Sequence, residues 1–344
     1  MIKLLTILKL FLKFVYINSI TNFRIGAGSG VGGFSSIIFS SENNSDDQQS
    51  ITIGKYAGIR RFCELQVWDN NHIVIKDYST LNDGCKLLGD VVIERHCVLS
   101  ANIFASSGNH YALRNPAWLI KDQDKAVLGE AKGRKEHSKP IRIEEDCWIG
   151  YGVFIGQGIY IGRGAVIGAN SVVTKDVDPY SIQVGSPNRE IKKRLDFNPP
   201  DSVSAFSDEH LPYFYRGFDQ RREILTESRR QKVILSYHES VVVLQSGSNF
   251  NSICFSGKSN AAVREIILVV VWQGKYEWSV KVGPEEAQYT LTIDSSSPAG
   301  SGRQASQPGT MNYIAEKFNV ISFYTQEIPG IEYPFGLNSV KIMQ

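Results

Sequence analysis

The chain has 344 residues, of which 42% are hydrophobic and 21% are charged, and its formal net charge is +2. This is the composition of a globular protein; the length allows two domains, and the near balance of charge argues against a nucleic-acid partner. The five cysteines have no metal-type pair spacing, so we expect reduced thiols, a cytoplasmic protein and no metal site.

The first 22 residues, MIKLLTILKLFLKFVYINSITN, combine apolar and basic side chains. Lys3, Lys9 and Lys13 interrupt the apolar run, which disfavours a membrane-spanning helix, and no small-residue cleavage site follows. We therefore predict an N-terminal amphipathic helical segment over residues 1–22. It either packs on its own domain or attaches the protein peripherally to the anionic inner face of a membrane.

From Ile143 onward the sequence repeats every six residues. Consecutive hexads read IEEDCW, IGYGVF, IGQGIY, IGRGAV, IGANSV and VTKDVD, each beginning with an aliphatic residue. A period of six fits neither an α-helix nor the alternation of a simple strand, and it is typical of a hexapeptide parallel β-helix. Each hexad supplies one short strand and a turn, and stacking buries the aliphatic residues in an interior column, while glycine permits the turns.

The same period is present upstream of this stretch. Residues spaced by six include Ile75, Leu81, Leu87, Ile93 and Leu99. A second series of small or apolar residues lies two positions before each of these aliphatic residues, and it contains Cys97 and, after the interruption, Cys147. We therefore predict that both cysteine side chains lie in the interior. The glycine-rich GAGSGVGG at residues 26–33 lies in the same phase, which favours turn glycines over a phosphate-binding loop. We predict a β-helix domain over residues 23–195.

The repeat is interrupted between residues 106 and 140, and His110 lies near the start of the interruption. A flat β-helix wall offers no pocket by itself. A loop of this length is therefore predicted to reach over a neighbouring wall and close a cleft. Tyr111 and Trp118 lie among polar residues in this loop, a composition that suits stacking on sugar rings.

Residues from about 75 to 194 resemble the hexapeptide-repeat acyltransferases, in particular the galactoside, maltose and chloramphenicol-type O-acetyltransferases and the bacterial glycan O-acetyltransferases. The matching pieces are His110 at the start of the long loop, PIRIEEDCWIG, NSVVTKDV and VGSPNREIKKR, in the family's order and with similar spacing. The resemblance implies a left-handed parallel β-helix, acetyl-CoA as acyl donor and no metal. It also implies a homotrimer with each active site between two neighbouring chains.

The resemblance places the family's catalytic histidine at His110. This histidine would act as general base on an acceptor hydroxyl, which attacks the thioester carbonyl directly without an acyl-enzyme. Histidine suits the task because its ordinary pKa, near ~6.5, lies close to neutral pH. His137, where the loop returns, is the second candidate base, and an exposed loop histidine without function is the structural alternative.

Further residues are assigned to the reacting centre. Donors for the developing oxyanion are expected in the wall near Gly150, with Asn82 and Asn109 as polar side chains that could equally serve as turn formers. The resemblance puts Trp148 beside the active site, against the pantetheine arm or a sugar ring, with packing between chains as the alternative.

The resemblance also assigns a binding site for coenzyme A. Thr174 and Lys175 match positions along the groove that holds its arm, and Arg189 and Lys192 match positions at its nucleotide end. Gly168 and Ala169 would contribute shape rather than charge. Residues 192–194 could instead form a charged helix face.

The acceptor is predicted to be a bacterial cell-surface polysaccharide of the capsule, O-antigen or exopolysaccharide type, or its precursor, because the N-terminal stretch resembles that of the glycan O-acetyltransferases. N-acetylation of an amino-sugar nucleotide and a non-catalytic trimeric β-helix scaffold are the alternatives. The histidines are dispersed, which disfavours the zinc site of a carbonic-anhydrase-like β-helix.

After Arg194 the six-residue period stops. We predict a linker over residues 196–230 that contains one helix in RGFDQRREILTESRRQ. Residues 231–344 alternate short apolar runs with loop breaks, and this pattern predicts a separate antiparallel, sandwich-like β-rich accessory domain.

Overall fold

The computed structural model describes residues 22–40, 49–129, 137–219, 225–226, 229–230, 234–245, 252–260, 262–263, 265–273, 276–292, 312–325 and 335–343. The chain divides into two compact units, Met1–Asp196 and Phe197–Gln344. The amphipathic helix predicted for residues 1–22 lies, apart from Asn22, outside the described residues.

The first unit is a parallel β-helix in which three strands make one coil. Sheet A contains β1 (Phe23–Ile25), β4 (Ser50–Ile53), β7 (His72–Ile75), β10 (Val91–Ile93), β13 (Ile141–Ile143) and β16 (Tyr160–Ile161). Sheet B contains β2 (Gly30–Val31), β5 (Gly58–Ile59), β8 (Thr80–Leu81), β11 (Val98–Leu99), β14 (Trp148–Ile149), β17 (Val166–Ile167), β19 (Ser181–Val184) and β20 (Arg189–Lys193). Sheet C contains β3 (Ser36–Ser40), β6 (Glu64–Trp68), β9 (Lys86–Leu88), β12 (Phe104–Ser106), β15 (Phe154–Ile155) and β18 (Val172–Val173).

The strands stack with the register that the six-residue period predicts. Leu99 pairs with Ile149 in sheet B, and Ile149 pairs in turn with Ile167. All three side chains are fully buried in one continuous core, which also encloses Cys97 and Cys147. The predicted fold, a β-helix of the left-handed hexapeptide type followed by an antiparallel β-rich region, is confirmed.

Glycine recurs after the aliphatic residues because adjacent coils approach closely there. A Cβ added to Gly150 would lie 2.6 Å from the amide nitrogen of Ala169, and one added to Gly162 would lie 2.6 Å from that of Pro179. The positive backbone angles occur two residues later, as at Gly152 with φ +66°. Contact between coils thus requires glycine at positions 150 and 162, but not at Gly156, where an added Cβ would lie 3.5 Å from the Val173 carbonyl oxygen. The positive backbone angle of the turn is adopted by the residue two places after each of these glycines.

The elements of the second unit are β21 (Ser202–Ser204), a 3₁₀ helix (Asp208–Tyr213), β22 (Arg216–Asp219), β23 (Leu225–Thr226), β24 (Arg229–Arg230), β25 (Ile234–Leu244), β26 (Ser252–Ser259), β27 (Ile266–Trp272), β28 (Tyr276–Val282), β29 (Ala287–Thr292), the short helix Asn312–Ala315, β30 (Asn319–Tyr324) and β31 (Phe335–Met343). The unit is built on one antiparallel sheet with the strand order β28-β27-β30-β25-β31-β26-β29, in which β31 also pairs with β21 and β25 also pairs with β22.

The helix predicted over residues 216–231 is wrong at every position that the structure describes, because Leu225–Thr226 and Arg229–Arg230 are the paired strands β23 and β24 and the first four residues also form a strand. Arg216–Asp219 is strand β22, and its backbone pairs with β25. The reason is burial of aromatic side chains: Phe214 and Phe218 lie in the core of the second unit, 0% and 4% exposed, with their rings 5.3 Å apart. This anchors the segment to the sheet, and it is not a free linker.

Candidate functional site

The interruption of the repeat lies at the corner where the chain passes from sheet C to sheet A. The chain leaves the coil at Ser106, the end of β12, and re-enters it at Ile141, the start of β13. We call residues 106–140 the excursion. Its two ends are joined, because the Oγ atoms of Ser107 and Ser138 lie 2.5 Å apart and the Lys139 amide donates to the Ser107 carbonyl at 2.9 Å. The excursion therefore starts from a closed stem.

Helix α1 (Ile120–Leu128) lies in the described part of the excursion. Gln123 holds it in place: this side chain is 1% exposed, accepts a hydrogen bond from the Asn115 amide and donates one to the Trp118 carbonyl. Val127, one turn later, is also buried. The contacts of Gln123 hold the buried face of α1 against the start of the excursion.

A cavity of about 1260 Å³ lies between the outer face of sheet C and the excursion. Its walls combine aromatic, basic, acidic and amide side chains. The lining residues are Ser40, Gln66, Trp68, Asp69, Leu88, Phe104, Ser106, Gly108, Asn109, His110, Lys121, Asp124, Lys125, Leu128, Gly129, His137, Phe154, Gly156 and Gln157.

His110 is paired with a carboxylate across the excursion. Its Nδ1 lies 2.8 Å from Oδ2 of Asp124 on α1, while the imidazole remains 80% exposed. The other carboxylate oxygen of Asp124 accepts the Tyr111 amide at 2.8 Å, and the side chain of Asn109 accepts the amide of His110. Both the imidazole and the backbone that carries it are therefore held by polar contacts.

The charge state of Asp124 decides the tautomer of His110. Partial burial raises the pKa of this carboxyl, but the hydrogen bonds from the Tyr111 amide and from His110, together with the nearby imidazoles of His110 and His137, outweigh it, so the pKa of Asp124 is lowered. An ionised carboxylate only accepts hydrogen bonds. Nδ1 of His110 must then carry the proton and donate it, which leaves Nε2 free to accept a proton.

Of the predicted site residues, the chain brings three to this cavity or its edge. His110 and Asn109 line it, and Tyr111 lies beside the cavity-lining His137, with 5.9 Å between ring centroids. Trp118 is 55% exposed and does not line the cavity. Within the excursion, the backbone carbonyl of Trp118 accepts a hydrogen bond from the Gln123 side chain.

Another predicted group lies on sheet B and at the corner between sheets B and C. Trp148 is 54% exposed on β14, and its indole N–H donates weakly to Ser100 at 3.4 Å. The Asn82 side chain donates to the Leu99 carbonyl at 3.1 Å. The amide of Gly150 itself donates to the Ile167 carbonyl at 2.8 Å in the ladder between coils, and the expectation of an oxyanion donor in the wall near Gly150 stays a prediction.

The residues that the resemblance assigns to coenzyme A are mostly at the surface. Ala169 is exposed and Gly168 half-buried at the corner between sheets B and C, whereas Thr174 and Lys175 are exposed at the corner between sheets C and A, where the excursion also begins. Arg189 and Lys192 belong to β20, an exposed strand paired with β19, so the alternative of a helix face at residues 192–194 is wrong for its first two members.

Sequence reasoning missed Asp124 and Trp68. Asp124 is the partner of the candidate base, and Trp68 lines the cavity at the end of β6. The available signal for Asp124 was the stretch IKDQDKAVL, whose apolar ends and polar middle suit a short helix. Among the residues that the structure describes, no group of three or more His, Cys, Asp or Glu comes together as a metal site, and no helix has the length and apolar character needed to span a membrane.

Comparison with known proteins gives one family match and one short sequence match of note. Residues 140–175 match the family model described as bacterial transferase hexapeptide (six repeats). A protein of Schizosaccharomyces pombe named "Putative acetyltransferase C18B11.09c" is 50% identical over 58 residues. That match spans 17% of this chain and 28% of the length of the relative.

Similar solved structures include AntD, an N-acyltransferase from Bacillus cereus in complex with dTDP and 3-hydroxybutyryl-CoA, with 20% identity, a TM-score of 0.38 and coverage of 51% of this chain and 85% of that one. Another is the hexapeptide-repeat-containing acetyltransferase VCA0836 of Vibrio cholerae O1 biovar eltor with acetyl coenzyme A, at 24% identity, a TM-score of 0.30 and coverage of 51% and 74%. Within the β-helix of this chain, residues 140–175 match the hexapeptide repeat of the bacterial transferase family model.

Proposed function

We propose that this protein is an acetyl-CoA-dependent O-acetyltransferase that acts on a sugar hydroxyl of a bacterial cell-surface polysaccharide or its precursor. The observation that carries the proposal is the pair of His110 and Asp124 at the wall of an open cavity. The match of residues 140–175 to a transferase repeat and the acetyltransferase name of the S. pombe relative support the acyl-transfer class.

The proposed reaction is a direct transfer. Nε2 of His110 takes the proton of the acceptor hydroxyl as its oxygen attacks the thioester carbonyl of acetyl-CoA. The tetrahedral intermediate expels the thiolate of coenzyme A, and the imidazolium of His110 returns its proton to that sulfur. Asp124 holds the imidazole in the tautomer that leaves Nε2 available, and its negative charge stabilises the imidazolium formed during attack.

We also infer that the active site is completed by a second chain of a homotrimer. Within one chain the predicted residues fall into two groups: His110 and Asn109 at the cavity, and Trp148, Asn82 and Gly168 on or beside sheet B. Packing the sheet B face of one chain beside the excursion of the next would bring both groups to one cleft. Light scattering after size exclusion tests this, with the mass of three chains expected.

The decisive experiment measures thiol release from acetyl-CoA with amine-free bacterial glycans and amino-sugar nucleotides in parallel. Turnover with an amine-free glycan that yields a base-labile ester is expected. The His110→Ala protein, which retains the rest of the cavity, should lose about 10²- to 10⁴-fold of this transfer. Turnover only with amino sugars, giving a base-stable amide, would replace the proposed function with N-acetylation of a precursor.

The peripheral membrane contact proposed for residues 1–22 is tested separately by sedimentation with anionic vesicles. Binding that falls as salt is raised is expected, because basic segments are held to anionic surfaces electrostatically. Removal of residues 1–21 should abolish vesicle binding while acetyl transfer continues. Equal vesicle binding without the segment would contradict the assignment.

A further inference from the structure

Two cavity residues have ring nitrogens that the proposed transfer does not use. Trp68 is the last residue of β6, and His137 is the first described residue where the excursion returns to the coil. Both line the same cavity as His110, and their ring centroids lie 6.3 Å apart with 57° between the ring planes. Together they form an aromatic corner beside the candidate base.

The β-helix coil holds the indole of Trp68 in one position. A Cβ added to Gly89 would lie 2.8 Å from Cζ2 of this indole, and a Cβ added to Gly108 would lie at the same distance. Because residues 89 and 108 are both glycine, the indole ring of Trp68 can occupy the space that side chains at these two positions would take. The orientation of Trp68 is therefore set by the coil itself.

The polar atoms of this corner have no protein partner. Nε1 of Trp68 and Nδ1 of His137 are shielded from solvent and make no hydrogen bond, and the same holds for Oε1 of Gln157, which also lines the cavity. Buried polar groups are nearly always paired in folded proteins, so a cluster of unpaired ones at a cavity indicates a polar ligand. His110 differs, because its Nδ1 is bonded to Asp124.

We propose that Trp68 and His137 form the subsite that binds the acceptor sugar ring; this rests on the proposed function of the cavity. The indole N–H, which lies in the plane of the ring, donates to an oxygen of the sugar. Nδ1 of His137 bonds a neighbouring hydroxyl. The indole N–H of Trp68 only donates and Oε1 of Gln157 only accepts, so the two atoms together suit a ligand with several hydroxyl groups, which both donate and accept. The subsite therefore takes a hydroxyl-rich ring, and His137 is a positioning residue rather than the base.

The test uses substitutions that remove one hydrogen bond and keep the shape. Trp68→Phe retains an aromatic ring without the N–H, and His137→Leu removes Nδ1, whereas His137→Asn retains an amide atom near its position. Trp68→Phe and His137→Leu should each raise KM for the glycan acceptor about fivefold, and His137→Asn should recover most of the loss. KM for acetyl-CoA and kcat should change by less than about twofold, since neither side chain takes part in proton transfer.

A matched control is Trp278→Phe, the same chemical change on β28 of the second unit, which should leave every constant at the wild-type value. If the wild type acetylates glycan hydroxyls and Trp68→Phe leaves KM for the acceptor unchanged, the subsite is wrong and the proposed function stands.

Direct binding separates the two proposals if glycan transfer is absent. Saturation-transfer NMR with methyl β-D-galactopyranoside and methyl β-D-glucopyranoside, without acetyl-CoA, should show binding to the wild type that weakens in Trp68→Phe. Equal signals from the two proteins, or no signal from the wild type, would overturn the subsite whatever the wild-type protein acetylates.

Discussion

The wall of the β-helix and the excursion use their polar groups in opposite ways. In the wall, backbone amides bond the next coil, as Gly150 does to Ile167, and the interior side chains are fully buried. In the excursion, side chains bond local backbone and one another, as Asp124 does with His110 and with the Tyr111 amide. A repeat that satisfies its own backbone has few groups to offer a substrate, so we expect the proton transfer of the proposed reaction at the place where the chain leaves the repeat.

The sharpest test of this comparison removes the candidate base. His110→Ala should lower kcat about 10²- to 10⁴-fold, the range of general-base catalysis, because no other group would take the hydroxyl proton. Its unfolding midpoint should not change, since the side chain is 80% exposed. Steady-state thiol release and thermal unfolding measure both quantities.

The control for that variant is a histidine of the wall. His96 has φ 62° at a coil corner, a conformation that asparagine tolerates, so His96→Asn should retain the activity of the wild type. Activity of His110→Ala within threefold of the wild type would remove His110 from the mechanism and place the chemistry elsewhere.

The second test compares how much a substitution in the wall and a substitution in the excursion each lower the free energy of unfolding. Ile149→Ala removes a fully buried side chain from the interior column and should lower the free energy of unfolding by about 2–5 kcal/mol. Leu113→Ala in the excursion, where the side chain is 87% exposed, should change it by less than about 0.5 kcal/mol. Urea unfolding measures both, and equal losses would mean that the excursion is as tightly packed as the wall.

The two regions also differed in what their sequences could predict. The period of six predicted the buried column through Ile93, Leu99 and Ile149, because stacked coils impose one burial pattern on every hexad. The excursion has no period. The pairing of His110 with Asp124 depends on how Gln123 holds helix α1, a contact that spacing along the chain does not encode.

The third test asks whether Asp124 acts through His110. Asp124→Asn should lower kcat about ten- to a hundredfold, because an amide can donate to Nδ1 and so favours the tautomer with Nε2 protonated. KM for acetyl-CoA should change little. The matched control is Asp122→Asn, at an exposed position in the first turn of the same helix, and it should leave kcat unchanged. If the two variants lose activity equally, the effect is one of helix charge and the paired geometry is irrelevant.

The smallest expected effect lies at the junction of the two regions, at Asp90. Its amide donates to Oγ of Ser107 in the stem of the excursion, and its carbonyl accepts the Ile141 amide where the coil resumes. Burial raises the pKa of the Asp90 carboxyl from 3.8 to about 6. The folded protein therefore holds this proton more tightly than the unfolded chain does.

The sign of the resulting pH dependence follows from proton binding. Below about pH 4 the carboxyl is protonated in both states, and between pH 4 and 6 the folded state binds more protons, so the free energy of unfolding falls as pH rises and then levels off. The full shift corresponds to about 3 kcal/mol, and partial solvent access reduces the expected loss to about 1–2 kcal/mol. Asp90→Asn does not titrate, so its stability relative to the wild type should rise by that amount between pH 4 and pH 7 in guanidinium unfolding. A stability difference that stays constant with pH would mean that the stem leaves Asp90 open to water, and that wall and excursion are separated by solvent at their junction.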